Sequence, residues 1–336
     1  METTVLLTGA SGFLGAHLTR ELLARRYRVR VLVRNKQPSP TLDGLPVELY
    51  EGDVLDKQSL KKAVVGCDAI IHAAALAQVN PARNPAVWAV NLTGTENLID
   101  AARLASVQRF VYVGTANVFG FGTKQQPGNE TYPFAGKQYG SDYIDSKRAA
   151  TNRVQEAVEQ ESLPAILVHP TFMLGAFDAK PTSGRMLLEL YQGRVIGYPA
   201  GGKNYVHVRD VAVATVNALT KGRFGESYIL GNANLSYQEA FRLMASRMDV
   251  SPPRWPIPPG LATLYGFGCD ALTRLTHRPG QLNSSMIAVA NDGHYFSSQK
   301  AISELGLPQT PIEEAIDEAF TWFKRHNYLT QRAGTN

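Results

Sequence analysis

Cysteine is scarce. The 336-residue chain has two, Cys67 and Cys269, too distant for metal-ligand spacing and too few for a disulfide framework. A reducing, cytoplasmic setting is the expectation that follows. Long apolar runs are lacking as well. The stretch IPPGLATLYGFGCDALTRL, Ile257 to Leu275, is fairly apolar, but prolines, glycines, Asp270 and Arg274 interrupt it, which argues against a membrane span. The N-terminus enters an apolar strand pattern after four residues with no basic n-region, so no signal peptide is expected. Nor is there a long run of one charge. The net charge of +5 comes from scattered residues, and the densest basic cluster, Arg25 to Arg30, straddles a helix end and a strand start. Nucleic acid is therefore not an expected partner, and an anionic small ligand suits the charge better. Internal repeats and low-complexity tracts are absent.

What is present is a regular alternation. At 44% apolar and 19% charged residues the chain can bury a sizeable core. Buried-strand patterns occur in TTVLLTG, RVRVLVR, VELYEGD, DAIIHAA, RFVYVGT and AILVHP. Helix patterns separate them, over 13–26, 56–65, 87–104 and 143–161. Strands separated by helices predict an α/β fold with a doubly wound parallel sheet. After about Gly175 the rhythm changes to shorter helices near 184–191, 209–219 and 237–247, mixed with short strands. Two more helices are expected in SSQKAISELG and PIEEAIDEAFTWFKRH. This predicts residues 1–175 as the doubly wound unit, with a return to the sheet within 204–231, and 176–330 as mainly a smaller, mixed lobe on the substrate side.

The segment TGASGFLG opens the first helix directly after the first strand. Its glycines, Gly9, Gly12 and Gly15, allow a tight turn and a close backbone approach to a pyrophosphate. Ser11, Phe13 and Leu14 complete the loop at the helix N-terminus, whose dipole favours an anion. This is a Rossmann-type signature because the strand–loop–helix context is met. Arg34 follows the second strand, where an acidic residue would accept from the ribose hydroxyls of NAD. An arginine suits the 2′-phosphate of NADP, so NADP(H) is favoured and NAD(H) remains possible. Asp53 ends the third strand and can accept from the adenine amino group, with Val54 packing on the ring; a loop or cap role for Asp53 stands beside it. Ala73, Ala74 and Ala75 would let a cofactor cross the strand ends, and would equally allow tight helix–sheet packing. His72 fits a packed histidine better than a base. Thr115, just past the fifth strand, can donate to a substrate oxygen. In YIDSK, Tyr143 and Lys147 share one helix face a turn apart.

Taken together, TGASGFLG, GDVLD, HAAA, NLTGTENLIDAA, VGTANVFG, YIDSK, HPTFMLG and YVHVRDVA resemble the extended short-chain dehydrogenase/reductase family over nearly the whole chain. The chain is most similar to its dihydroflavonol-reductase-like and 3β-hydroxysteroid-dehydrogenase-like branches. Parts are also similar to a bacterial group of hopanoid-associated sugar epimerases. The resemblance implies that Tyr143 is the catalytic acid/base and that Lys147 binds the nicotinamide ribose and lowers the Tyr143 pKa. It further implies that Thr115 orients the substrate carbonyl. Pro170 would lie by the nicotinamide, flanked by His169 and Thr171. Asn91 would hold backbone near the site, or lie on a helix surface. A homodimer through the helices at 87–104 and 143–160 is implied too.

Two departures narrow the activity. Ala116 and Asn117 follow Thr115 where the family's sugar-nucleotide dehydratases carry an Asp–Glu pair, which disfavours elimination of water. Arg34 replaces the acidic residue of many NAD-using epimerases. The expectation is an NADP(H)-dependent oxidoreductase that interconverts a carbonyl and a secondary alcohol on a small molecule. Phe172, Met173, Phe177, Tyr191, Tyr198, Tyr205, Trp255 and Tyr265 point to an apolar or aromatic substrate. Lys180 and Arg185 are the cations noted after Gly175, for an anionic group or for solvent. The alternatives are a sugar or sugar-nucleotide epimerase that retains its cofactor, and a nonenzymatic NADP-sensing protein. No metal is expected.

Overall fold

The computed structural model describes residues 3–37, 39–276 and 282–329. The first half winds as β1 (Thr4–Thr8), α1 (Phe13–Ala24), β2 (Arg28–Val33), β3 (Glu48–Glu51), α2 (Lys57–Ala63) and β4 (Ala69–His72). Next come α3 (Pro85–Trp88), α4 (Gly94–Leu104), β5 (Arg109–Val113), α5 (Asp142–Glu161) and β6 (Ala165–Pro170). The second half adds β7 (Phe172–Leu174), α6 (Arg185–Tyr191), β8 (Gly197–Tyr198), β9 (Gly202–His207), α7 (Val208–Lys221) and β10 (Ser227–Leu230). It closes with β11 (Ala233–Ser236), α8 (Tyr237–Met248), β12 (Trp255–Pro256), α9 (Pro259–Thr276), α10 (Ser284–Asn291), β13 (Gly293–His294), α11 (Gln299–Leu305) and α12 (Ile312–Arg325).

Seven parallel strands form the central sheet in the order β10-β6-β5-β4-β1-β2-β3. This is the expected doubly wound α/β architecture, including the late return of the chain through β10. Helices cover both faces, so inner strands such as TVLLT are buried along their length. Val5, Leu7, Val31 and Val111 pack with α1 and α7 on one side. Leu6, Ile70, Phe110 and Leu167 pack with α2, α4 and α5 on the other. A third cluster, around Leu187, Phe241, Ile316 and Phe323, builds the smaller lobe on α6, α8 and α12.

Two elements differ from the sequence expectation in ways that matter below. The helix expected over 87–104 starts at Pro85 and carries a π-helical turn, Ala89–Thr93, between α3 and α4. The apolar stretch 257–275, expected only not to span a membrane, forms α9. Among the described residues no helix is long and apolar enough to cross a membrane.

Candidate active site

Strand order reverses between β1 and β4, which opens a crevice at the carboxyl ends of those strands. The glycine loop lies there. Gly9 has φ +77°, and a β-carbon on it would meet the Ala73 carbonyl carbon and the Ala74 nitrogen at 2.7 Å. Gly15 is tighter still: its β-carbon would stand 2.0 Å from the Gly9 carbonyl oxygen. Side chains at either place would force apart β1, α1 and the segment after β4. Gly12 caps α1 without a side-chain hydrogen bond, and both Ser11 and Gly12 are exposed. The first-turn N–H groups, including those of Phe13 and Leu14, have no intrahelical acceptor, so this end of α1 can receive an anion.

Around the crevice the other expected residues fall into place unevenly. Arg34 is exposed one residue past β2 and makes no ion pair or hydrogen bond among the described residues. Asp53 spends Oδ1 on the Leu55 N–H at 2.9 Å, so it is a turn residue with one oxygen left over. Val54 is buried against Gly94, and its carbonyl accepts from Asn97 Nδ2 at 3.0 Å. Ala73 and Ala74 are half-buried and Ala75 is exposed, so small residues do surface here. His72 lies between Thr8 Oγ1 at 2.8 Å and Thr95 Oγ1 at 3.0 Å. Burial pushes its pKa down to about 3, which makes it a neutral packing histidine.

Thr115 and α5 form the chemical half of the crevice. The Thr115 hydroxyl, just beyond β5, accepts from the Asn117 N–H at 3.4 Å and lies near the Tyr143 phenol. Burial raises the Tyr143 pKa, and the nearby Thr115 hydroxyl opposes that rise. Lys147 is buried one turn further on. Its Nζ donates to the Val113 carbonyl at 2.6 Å and sits 4.5 Å from the centre of the Tyr112 ring. Desolvation brings its pKa down to about 7. Burial moves both groups, and the Lys147 ammonium is turned to a backbone carbonyl.

Neighbouring residues hold this half in place. Asn91 is fully buried, which removes the helix-surface alternative. Its Oδ1 accepts from the Leu76 N–H at 2.8 Å, and its Nδ2 donates to Ser146 Oγ at 3.1 Å. The π-helical turn offsets it from the regular helix face. His169 is buried beside Gly114, where a β-carbon would lie 2.4 Å from its Nδ1. Pro170 ends β6, and Thr171 Oγ1 donates to Asn204 Oδ1 at 2.8 Å.

The lobe corrects part of the sequence expectation. Phe172, Met173, Phe177, Tyr191 and Tyr198 are partly buried, and Tyr205 is core. Trp255 and Tyr265 are instead 73% and 62% exposed, so neither lines an interior pocket. Lys180 and Arg185 are both exposed. The cation that sequence inspection missed is Lys203 on β9. It lies over Phe172 at 5.3 Å and Tyr237 at 5.9 Å, and burial draws its pKa down to about 8. Its register partner on β13 is His294. That imidazole meets the Tyr139 hydroxyl at 3.2 Å through Nε2, and its Nδ1 has no partner among the described residues. Alternation in GKNYVH puts Lys203 and Tyr205 on one face, which is the only sequence signal for it.

Residues 5–231 match the model of the NAD dependent epimerase/dehydratase family. The chain belongs to that family. Within it the chain is an enzyme of the extended short-chain dehydrogenase/reductase type, with a Rossmann-like fold, and the family binds NAD(P). A putative dihydroflavonol 4-reductase from Synechocystis sp. is 29% identical over 334 residues, covering 98% of this chain and 97% of its own. Sterol demethylase protein B from Methylococcus capsulatus is 31% identical over 330 residues, covering 97% and 100%. Among solved structures, gox2253 superposes with a TM-score of 0.87 at 32% identity, covering 98% of this chain and all of that one. A glycine cradle closed to side chains, an open helix N-terminus and small residues at the strand ends fit the dinucleotide that the family binds.

Proposed function

We propose that this chain is an NADP(H)-dependent oxidoreductase interconverting a carbonyl and a secondary alcohol on a small apolar or aromatic substrate. The supporting observation is the Tyr143 phenol near the Thr115 hydroxyl, with Lys147 buried one turn behind, in a fold that also carries the glycine cradle. When bound, a nicotinamide dinucleotide supplies or takes up hydride. In this reading Gly9, Ser11, Gly12, Phe13, Leu14 and Gly15 cradle its pyrophosphate, and Arg34 meets the 2′-phosphate. Asp53 Oδ2 and Val54 serve the adenine end; Ala73 to Ala75, Pro170 and Thr171 border the nicotinamide end.

Tyr143 carries the proton that the substrate oxygen gains in reduction and loses in oxidation. Burial keeps the phenol protonated at neutral pH, which is the form that reduction uses. Thr115 fixes the direction of the phenol oxygen and donates to the substrate oxygen. Lys147 stands near its titration midpoint at neutral pH, and its charge favours the phenolate that oxidation uses. Residues 1–175, with the return over 204–231, carry the cofactor, and 176–330 shape the substrate side. The molecule works in the cytoplasm as a homodimer through the helical stretches at 87–104 and 143–160.

One observation favours a second reading. Lys203 is a half-buried cation with no acidic partner among the described residues, which suits an anionic substrate such as a sugar nucleotide. An epimerase would retain its cofactor and consume none. The test is a carbonyl panel with NADPH, followed at the nicotinamide absorbance. Net consumption supports the oxidoreductase; a copurifying cofactor with no net consumption supports the epimerase. A sensing protein would bind NADP and turn over nothing.

A further inference from the structure

Helix α9 is built inside out. Its outward residues are Leu261, Leu264, Tyr265, Leu272 and Leu275, at helical spacing on one face, and Leu264 and Leu275 are 69% and 81% exposed. Its inward face is small or polar. Gly266 touches α10, where a β-carbon would meet Ile287 Cδ1 and Ser284 Cα at 2.9 Å, and Asp270 Oδ1 accepts from the Ser284 N–H at 3.3 Å. A surface helix of a soluble domain has the opposite polarity. Exposed Trp255 stands four residues before the helix.

We propose that α9 and Trp255 form a docking surface for an anionic lipid bilayer. The charges match such a surface. Asp270, the one acidic residue of α9, is turned inward, while Arg254 and Arg274 are exposed and make no ion pair among the described residues. The chain as a whole carries +5. The helix cannot span, so it lies in the plane of the interface with its leucines below the headgroups and Trp255 and Tyr265 at their level. A second copy fits less well. Eighteen residues give a stripe about 27 Å long and roughly 10 Å wide, far below the ~800 Å² per partner of a stable protein interface.

The position has a consequence for access. α9 rests on α10, and Asn283 at the start of α10 donates from Nδ2 to the Val79 carbonyl at 2.9 Å. That carbonyl lies on the segment leaving β4, so α10 ties the docking helix to the chain that leaves the sheet beside the crevice. The docking does not depend on the carbonyl chemistry, and its test reads no turnover.

Flotation of the full chain with vesicles decides the matter. Wild type is expected to rise with phosphatidylglycerol-containing vesicles. It should bind pure phosphatidylcholine about 25-fold more weakly, since each arginine near an anionic surface contributes ~1 kcal/mol. The triple change Leu264→Gln, Leu272→Gln, Leu275→Gln should cut binding by about 100-fold or more. Its melting temperature and cofactor affinity should stay those of wild type, because all three side chains are exposed. Arg254→Gln with Arg274→Gln should remove the lipid-charge preference. Wild type left at the bottom of the gradient would overturn the proposal, as would a triple variant that floats equally well. A dimer that dissociates in the triple variant while vesicles go unbound would assign the face to a second copy instead.

Discussion

Asn91 Nδ2 donates to Ser146 Oγ at 3.1 Å, joining the chain that leaves β4 to the helix that bears Tyr143 and Lys147. The same side chain accepts from the Leu76 N–H and donates to the Leu76 carbonyl, so one buried amide fixes both walls of the crevice. Asn91→Ala should leave these groups unpaired and lower the unfolding free energy by about 2–4 kcal/mol. Denaturant unfolding measures this, and a change within about 0.5 kcal/mol would show that water replaces the amide at no cost.

The glycine loop should respond in a fixed order. A β-carbon at Gly15 meets backbone at 2.0 Å, at Gly9 at 2.7 Å with φ +77°, and at Gly12 at 3.2 Å. Gly15→Ala should therefore lose the most cofactor affinity and stability, Gly9→Ala somewhat less, and Gly12→Ala the least. Overpacking of this kind costs about 1–3 kcal/mol. Dinucleotide titration and thermal melts of the three variants check the ranking; equal losses would mean that the loop shifts as one piece.

Cofactor choice rests on Arg34. A charge-assisted hydrogen bond contributes about 1.5–3 kcal/mol, so NADPH should bind roughly 10- to 150-fold more tightly than NADH. Arg34→Asp should reverse that order, and salt should weaken NADPH more than NADH because the residue is exposed. Titration of both cofactors into both proteins tests this, and equal affinities in wild type would leave Arg34 as a solvated strand-end residue.

Lys147 makes stability depend on pH in one direction. Its folded pKa is about 7, below the ordinary 10.5, so between those values the unfolded chain binds the extra proton. Stability from this group should rise as pH climbs from 7 towards 10.5 and should be flat below 7. Between pH 7 and 9 the gain is about 2 kcal/mol. Lys147→Met should lack that gain. Parallel pH melts of the two ligand-free proteins would contradict the burial of a titrating ammonium here.

Much of this molecule is legible in its sequence, for definite physical reasons. Strands buried on both faces are continuous apolar runs, as in TVLLT and AIIH, and a parallel sheet needs the helices that punctuate them. Gly9, Gly15, Thr115, Tyr143 and Lys147 stand at places where chain geometry constrains residue type. Lys203 and His294 are not legible as neighbours, because they meet only through the pairing of β9 with β13. The buried role of Asn91 depends on a π-helical turn that the helical period does not mark. The outward leucines of α9 defeat the usual inference from apolar spacing to core.

The central claim is that Tyr143 transfers the proton during reduction of a carbonyl. The direct measurement is turnover of wild type and Tyr143→Phe with NADPH and a carbonyl that wild type reduces, read at the nicotinamide absorbance. The substitution removes one hydroxyl from a packed ring, so the melting temperature and NADPH affinity should change little. Turnover should fall by about 10²–10⁴-fold, the usual contribution of general acid–base catalysis. A Tyr143→Phe protein that binds NADPH and reduces the carbonyl at close to the wild-type rate would contradict the account.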